Sequence, residues 1–406
     1  MSVSVQDSIL IYEGSVKRVW KPETLDDIIW FEFTDDYSVF DWGKMPDTIA
    51  NKGHALAAIG AYCFQHLERP EVWKELKSSA QLARFDQKWL QQRWSHRIFA
   101  EILSKHGAPH HFKGLVSASG ESVSWQDAGR QSSAYMQVLP AVPLRPEPYK
   151  LIAQTVYYYP RRPIKAPRRL IPLEVVFRFG MPAGSSLKPR LERDPGYARI
   201  LGLDSIPEDG EWFPYPVVEF FTKLEPKDRL LTVQEALLIS MLTPDEFEDM
   251  VELAYDAALA LYDLCARRGI ELWDGKFEFV TGVEGLLIAD SIGPDELRLV
   301  YNGQNLSKEM IRQFYRGSKW ELATKEAQTL AISKGRLEEW RQICRTTLKA
   351  EPERLPPELK ALVDQLYGVI ANEVSGEKIF ADHPELEEFA KTLAKAGDLG
   401  RATRGS

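Results

Sequence analysis

The stretch Leu272–Trp273–Asp274–Gly275–Lys276–Phe277–Glu278–Phe279 is the one on which the fold turns. Side chains alternate faces along a strand, so Asp274, Lys276 and Glu278 point one way and Trp273, Phe277 and Phe279 the other. One face belongs to a core, and the other carries three charges in a row. Residues 281–285 read as a turn that folds residues 286–290 back antiparallel. A symmetric turn sets Asp290 opposite Lys276 and diagonal to Glu278. Two carboxylates and an ammonium above a packed core suit magnesium and polyphosphate, because magnesium takes few protein oxygens and leaves positions for phosphate. Lysine can neutralise charge on the phosphates themselves. A solvated sheet face gives the same alternation, so pattern alone leaves both readings open.

Upstream, residues 243–268 predict a helix: Thr243 as N-cap, Pro244 in the first turn, acids early and Gly269 as the stop. Its apolar stripe is Phe247, Val251, Ala254, Ala258, Leu261 and Cys265. Residues 169–179 predict a strand with Glu174 and Arg178 on one face, running into the turn Pro182–Ala183–Gly184–Ser185–Ser186. Such a turn can offer amides and hydroxyls to an anion, and Arg178 can clamp a carboxylate bidentately. Most glycine-serine turns are simply turns.

At the start, residues 8–12 and 16–20 flank a hairpin with Gly14 at its tip, and residues 28–33 make a third strand. Tyr12–Glu13–Gly14–Ser15–Val16–Lys17–Arg18 can fold over nucleotide phosphates, although it lacks the spacing of a Walker loop. Residues 52–67 have helical spacing of Leu56, Ile59, Cys63 and Leu67, and residues 86–105 suggest a second helix. Residues 117–133 read as loop. Residues 140–169, dense in proline and arginine, read as an extended linker. After residue 302 the chain reads as mostly helical.

A net charge of −8 argues against nucleic acid as the main partner. The three scattered cysteines suit a reducing cytosol. Asp7 and Glu13 interrupt the N-terminus early, against a secretory signal, and no apolar run has the length of a membrane span. A soluble, cytoplasmic protein with no membrane partner is expected. His106, His110 and His111 lack acidic or cysteine partners at metal spacing, which weighs against zinc.

Taken together, these segments resemble the SAICAR synthetase family. Residues 170–185 match its first signature through Pro172, Glu174, Arg178 and Ala183–Gly184–Ser185. Residues 272–279 match its second through Asp274, Lys276 and Glu278. In order along the chain, residues 11–20 resemble the opening glycine-lysine hairpin. Residues 33–53, with Asp36, Ser38, Asp41 and Lys52–Gly53, resemble the next segment. Ala289–Asp290, Pro294–Asp295 and Arg298, then Lys308 and Arg312, resemble the closing motifs. Ser15 stands where the family's loop has a lysine, Val280 where it has a glycine, and Lys227–Asp228–Arg229 where it has His-Asp-Pro.

The resemblance implies an α+β, two-lobed fold with ATP in the interlobe cleft and a helical C-terminal extension. Residues 1–168 would form a β-rich lobe with the glycine hairpin and an inserted segment. Residues 169–302 would form the ATP- and magnesium-binding lobe, and residues 303–406 a helical region. The implied enzyme is an ATP-dependent ligase joining L-aspartate to carboxyaminoimidazole ribotide through an acyl phosphate, with ATP and Mg2+ as cofactors. Glu278 and Asp290 would hold the metal, and Lys276, Arg178 and Asp274 would be catalytic. Tyr12, Gly14, Ser15, Lys17 and Lys276 would bind the nucleotide. Asp36, Ser38, Arg178, Ser185, Arg298, Lys308 and Arg312 would bind the other substrates. The alternatives are a paralogous amide ligase for another carboxylate and amine, and a catalytically silent nucleotide-binding protein. Homo-oligomerisation is left open.

Overall fold

The computed structural model describes residues 4–130, 135–152, 154–159 and 167–402. Arg161, Arg162 and Lys165 of the expected linker lie outside the described residues. The chain divides into two compact units: residues 1–62, 113–139 and 300–406 form one, and residues 63–112 and 140–299 the other.

In the first unit β1 (Ser8–Glu13) and β2 (Lys17–Pro22) form the expected hairpin, with Glu13 opposite Arg18. They join β3 (Ile29–Phe33), β4 (Phe112–Val116), β5 (Ser122–Val123) and β6 (Tyr135–Val138) in a six-stranded sheet, order β1–β2–β3–β6–β4–β5. Trp30, Phe31 and Phe33 are buried, as β-favouring aromatics in an inner strand should be. Helix α1 (Lys52–Glu68) starts hard against β3. A Cβ on Gly53 would lie 2.2 Å from the Phe33 carbonyl oxygen, so only glycine fits there.

The second unit is built on β7 (Leu173–Met181), β8 (Glu211–Thr222), β9 (Glu271–Gly282) and β10 (Gly285–Ala289). β7 lies between β8 and β9, β10 pairs with β9, and all these pairings are antiparallel. The strand expected over 169–179 is two: Arg168–Leu170, then β7. Pro172 has no N–H to give the ladder, and the chain breaks there. The helix expected over 86–105 is also interrupted. Asp86 caps Gln87–Ser95, the backbone extends at His96, and Ile98–Leu103 resumes as π-helix. The expected linker contains an antiparallel hairpin, Glu147–Leu151 with Gln154–Tyr158.

Helix α2 (Pro244–Ala266) begins with the expected Thr243 cap, closed into a capping box by Glu246. It packs on the aromatic side of β7, with the Tyr262 ring 4.9 Å from Phe179. Asp256 on α2 is fully buried, and neither carboxyl oxygen has a hydrogen-bond partner among the described residues. Burial, with the nearby Glu252 carboxylate, holds its pKa well above the usual range. A raised folded pKa means that ionisation in the unfolded chain draws stability away as pH rises past the ordinary aspartate value of about 4. Asp256→Leu therefore gains about 1–3 kcal/mol at pH 7 and flattens this slope. Thermal melts from pH 4 to 8 check both; an unchanged or lower melting temperature at pH 7 refutes the expectation.

The expected helical region follows in the first unit as α3 (Lys319–Ser333), α4 (Trp340–Thr346), α5 (Pro357–Ser375) and α6 (Leu386–Ala402). Cys63, Cys265 and Cys344 are each buried. Among the described residues no helix is long and apolar enough to cross a membrane.

Candidate active site

Residues directly opposite each other on neighbouring strands share a sheet face. Arg178 on β7 lies opposite Asp274 on β9, and Val176 lies opposite both Lys276 on β9 and Glu219 on β8. With the two-residue alternation, Glu174, Arg178, Glu219, Asp274, Lys276 and Glu278 therefore stand on one face. The other face carries Phe177, Phe179, Phe277 and Phe279, all buried. The predicted alternation of charge and aromatic side chains is thus present, but the charged face is not solvated. Asp274 and Glu278 are themselves buried.

Two clusters occupy that face. In the first, Glu174 is 2.6 Å from Lys276 and 3.0 Å from Lys223, and Lys223 is 2.5 Å from Glu278. Burial opposes the charge on Lys223, but Glu278, Glu174 and Asp290 outweigh it and hold the ammonium well above the usual lysine range. Burial likewise opposes ionisation of Glu174, yet Lys276 and Lys223 keep its pKa below normal. Glu278 is shifted the other way, by burial first and then by the negative charge of Asp290.

The turn between β9 and β10 corrects the expected register. It is a tight two-residue loop closed by Gly282 opposite Gly285, which pairs Glu278 with Ala289. Asp290 is therefore not opposite Lys276. It lies just past the ladder in a left-handed conformation, φ 64°. His111 Nε2 donates to the Asp290 carbonyl at 2.9 Å, and the His111 amide donates to Ile288. Burial, Asp295 and Asp290 push the nearby Glu296 up to about 8, and Ser291 donates to it at 2.9 Å.

In the second cluster every nitrogen of Arg178 is engaged within the chain. Nε meets Glu219 at 2.6 Å, one terminal nitrogen meets Asp274 at 3.1 Å, and the other reaches the Ser186 hydroxyl at 3.3 Å. The guanidinium expected to clamp a ligand carboxylate instead holds two of the protein's own. Arg190 also binds Glu219, at 2.7 Å, and Tyr197 donates to it at 3.0 Å. Ser185 is buried, and its hydroxyl accepts from the Leu187 amide at 3.3 Å. Arg298 approaches Asp274 at 3.5 Å, and one of its terminal nitrogens is buried with no hydrogen-bond partner among the described residues.

The first unit holds the remaining candidates. Gly14 donates to the Lys17 carbonyl at 2.8 Å, closing the hairpin beside the exposed Tyr12 and half-buried Ser15. Lys17 Nζ lies 4.2 Å from the Phe31 ring centre. Asp36 pairs with Lys44 at 3.1 Å, and Lys44 reaches Glu13 at the same distance. The Ser38 hydroxyl accepts from the Gly43 amide at 3.2 Å. Lys308 precedes the helix Glu309–Tyr315, within which Arg312 reaches Glu309 at 3.5 Å.

Sequence reading missed Lys44, Glu219 and Lys223. Glu219 carried a signal, being one carboxylate inside the apolar run Val217–Val218–Glu219–Phe220–Phe221. Lys223, just beyond that run, carried none. Among the described residues no three His, Cys, Asp or Glu side chains converge to hold a metal by themselves.

Residues 10–329 match the sequence model of the SAICAR synthetase family. A protein of Archaeoglobus fulgidus, provisionally named phosphoribosylaminoimidazole-succinocarboxamide synthase, is 32% identical over 367 residues, 89% of this chain and 92% of that protein. The phosphoribosylaminoimidazole-succinocarboxamide synthase of Thermoplasma acidophilum is 32% identical over 220 residues, 52% of this chain and 68% of its own. Among solved structures, the SAICAR synthase of Saccharomyces cerevisiae complexed with SAICAR superposes with a TM-score of 0.53 at 16% identity. It covers 91% of this chain and 96% of its own, a likeness of fold.

Proposed function

Because the chain belongs to the SAICAR synthetase family, we propose that it joins L-aspartate to carboxyaminoimidazole ribotide at the expense of ATP, giving SAICAR, ADP and phosphate. The observation that carries the reading is the buried Glu278 carboxyl, which faces a second negative charge on Asp290 beside Lys223 and Lys276.

This donor set fits magnesium. Two hard oxygen ligands whose like charges oppose each other's ionisation gain from a divalent cation, and magnesium usually takes one or two carboxylates with phosphates completing its shell. Magnesium held by Glu278 and Asp290 would neutralise charge on the polyphosphate.

The chain's own residues supply the rest. A carboxylate does not react with an amine, so the ribotide carboxylate first takes the γ-phosphoryl group of ATP as an acyl phosphate. The amine of aspartate then attacks the carbonyl and phosphate leaves. Every species is anionic, and the need is for fixed cations rather than a nucleophilic side chain. Burial and the charge of Lys223 oppose protonation of Lys276, but Glu174 and Glu278 outweigh them, so it is a permanent cation for the transferring phosphoryl group. Lys223 supplies a second one. Tyr12, Gly14, Ser15 and Lys17 are assigned to the nucleotide, and Asp36 and Ser38 to the aspartate and ribotide. Arg298, Lys308 and Arg312 are assigned to anionic groups of the ribotide. Arg178, tied to Glu219 and Asp274, acts by fixing Asp274 and Ser186, with Ser185 shaping the same turn.

The test is ADP release in the presence of ATP, magnesium, the ribotide and aspartate, omitting each in turn. Release that requires all four is the expected result. Release at full rate without aspartate or without the ribotide sinks the substrate assignment.

A further inference from the structure

Residues 34–51, between β3 and α1, contain no helix or strand beyond a single bridge from Asp36 to Thr48. Connections of this length without structure of their own are uncommon and usually functional or disordered. This one is neither loose nor self-sufficient. Phe40, Asp41 and Asn51 take positive φ angles of 53°, 57° and 59°, a conformation that side chains with a Cβ hold only when their surroundings impose it.

The surroundings are the C-terminal helices. Arg341 of α4 donates through Nε and a terminal nitrogen to the Asp41 carbonyl, at 2.8 and 2.5 Å, at the left-handed pair. The Trp42 ring lies 5.4 Å from Trp320 of α3 and 5.8 Å from Trp340 of α4. The Tyr315 hydroxyl gives its one proton to the Glu353 carbonyl at 2.7 Å, so the Tyr37 hydroxyl donates to Tyr315, 3.3 Å away. Asp47 accepts from the Leu355 amide at 2.7 Å and from Arg354 at 2.9 Å. Asp364 of α5 accepts from the Ala50 amide at 2.7 Å. Residues 37, 41, 42, 47 and 50 are thus each fixed from the C-terminal region, while Asp36 and Ser38 point to their own partners in the loop.

We propose that the C-terminal helical region is a brace for loop 34–51, holding Asp36 and Ser38 where aspartate and the ribotide bind. The proposal rests on the assignment of those two residues to the substrates. Tyr37 and Trp42 are buried and belong to the unit's core as well as to the brace. Arg341 and Asp364 instead act on backbone atoms at the surface, so their removal should loosen the loop without unfolding the unit. The brace acts on substrate affinity, because it sets where Asp36 and Ser38 wait and takes no part in the transfer itself.

The test compares Arg341→Ala, Arg341→Lys, Asp364→Leu and Asp36→Asn in the full chain. Arg341→Ala and Asp364→Leu should raise the KM for aspartate or the ribotide by roughly tenfold, the scale of a charge-assisted hydrogen bond. The KM for ATP and kcat should stay within about twofold, and Arg341→Lys should recover most of the loss. Hydrogen exchange of residues 34–51 should quicken in both loss variants. Unchanged exchange, or a fall in kcat with KM unchanged, overturns the brace, and Asp364→Leu carries the test if Arg341→Ala does not fold. If Asp36→Asn raises KM and neither brace variant does, the brace fails and the substrate assignment stands. If Asp36→Asn changes no KM, the assignment itself fails and the brace falls with it.

Discussion

Asp290→Asn lowers ADP release by about 10³-fold while the melting temperature holds or rises. The two effects separate because they have different origins. Glu278 has its pKa raised by burial and then by the charge of Asp290, so in the folded chain without a bound cation the two carboxylates oppose each other. A carboxyl with a raised folded pKa contributes stability below its unfolded value, near pH 4, that is lost as pH rises. Replacing Asp290 by asparagine removes the opposing charge and recovers part of that loss at neutral pH. The same replacement exchanges one of the two anionic ligands assigned to the cation for a neutral amide, and with that charge goes much of the stabilisation of the transferring phosphoryl group. Glu278→Gln should cost as much activity but melt lower, since Lys223, at 2.5 Å, then loses its nearest anion. Steady-state ADP release and thermal melts of the two variants make the comparison. Asp290→Asn retaining more than about a tenth of wild-type turnover refutes the assignment, and lost turnover with a collapsed melting temperature would reduce it to misfolding.

How much of this was legible in the sequence depends on which forces wrote each element. Period-two alternation marked residues 272–279 as a strand with one charged face, because Phe277 and Phe279 must be buried and Lys276 and Glu278 then have no choice of side. The Thr243 cap and Gly269 stop marked the long helix, since those residues satisfy orphan backbone groups locally. Register was a different matter. A turn one residue tighter than a symmetric reading moved Asp290 out of the ladder, and only its left-handed backbone distinguishes that outcome. The charged face itself was misjudged in one respect. Arg178 looked available to a ligand because Glu174, the other charge on its strand face, stands four residues away, yet Glu219 comes from a strand 41 residues on. Lys223 illustrates the same limit: its meaning lies in Glu174 and Glu278, which no local window contains.

Glu219→Ala is expected to lower stability by about 3–5 kcal/mol, among the largest losses open to any single substitution outside the aromatic core. Glu219 is almost wholly buried and satisfies three donors at once: Arg178 at 2.6 Å, Arg190 at 2.7 Å and Tyr197 at 3.0 Å. Removing it leaves the buried Arg178 with Asp274 as its one counter-charge among the described residues, and the penalty comes from the stranded cation more than from the lost attraction. That origin predicts a cycle. Arg178→Met in the Glu219→Ala background should recover part of the loss, because the more deeply buried of the two stranded cations is gone while Asp274 keeps Arg298 at 3.5 Å, whereas two independent contacts would give additive losses. The pH profile has a definite sign. Burial opposes ionisation of Glu219, but Arg178 and Arg190 outweigh it and hold the folded pKa below normal. The stabilisation is then complete above the unfolded glutamate value, about 4.3, and is lost as pH falls through the folded pKa. Denaturant melts should show wild type and Glu219→Ala far apart at pH 7 and converging towards pH 3. A gap that stays constant over that range would mean that the loss is one of packing, and that the charge network contributes nothing.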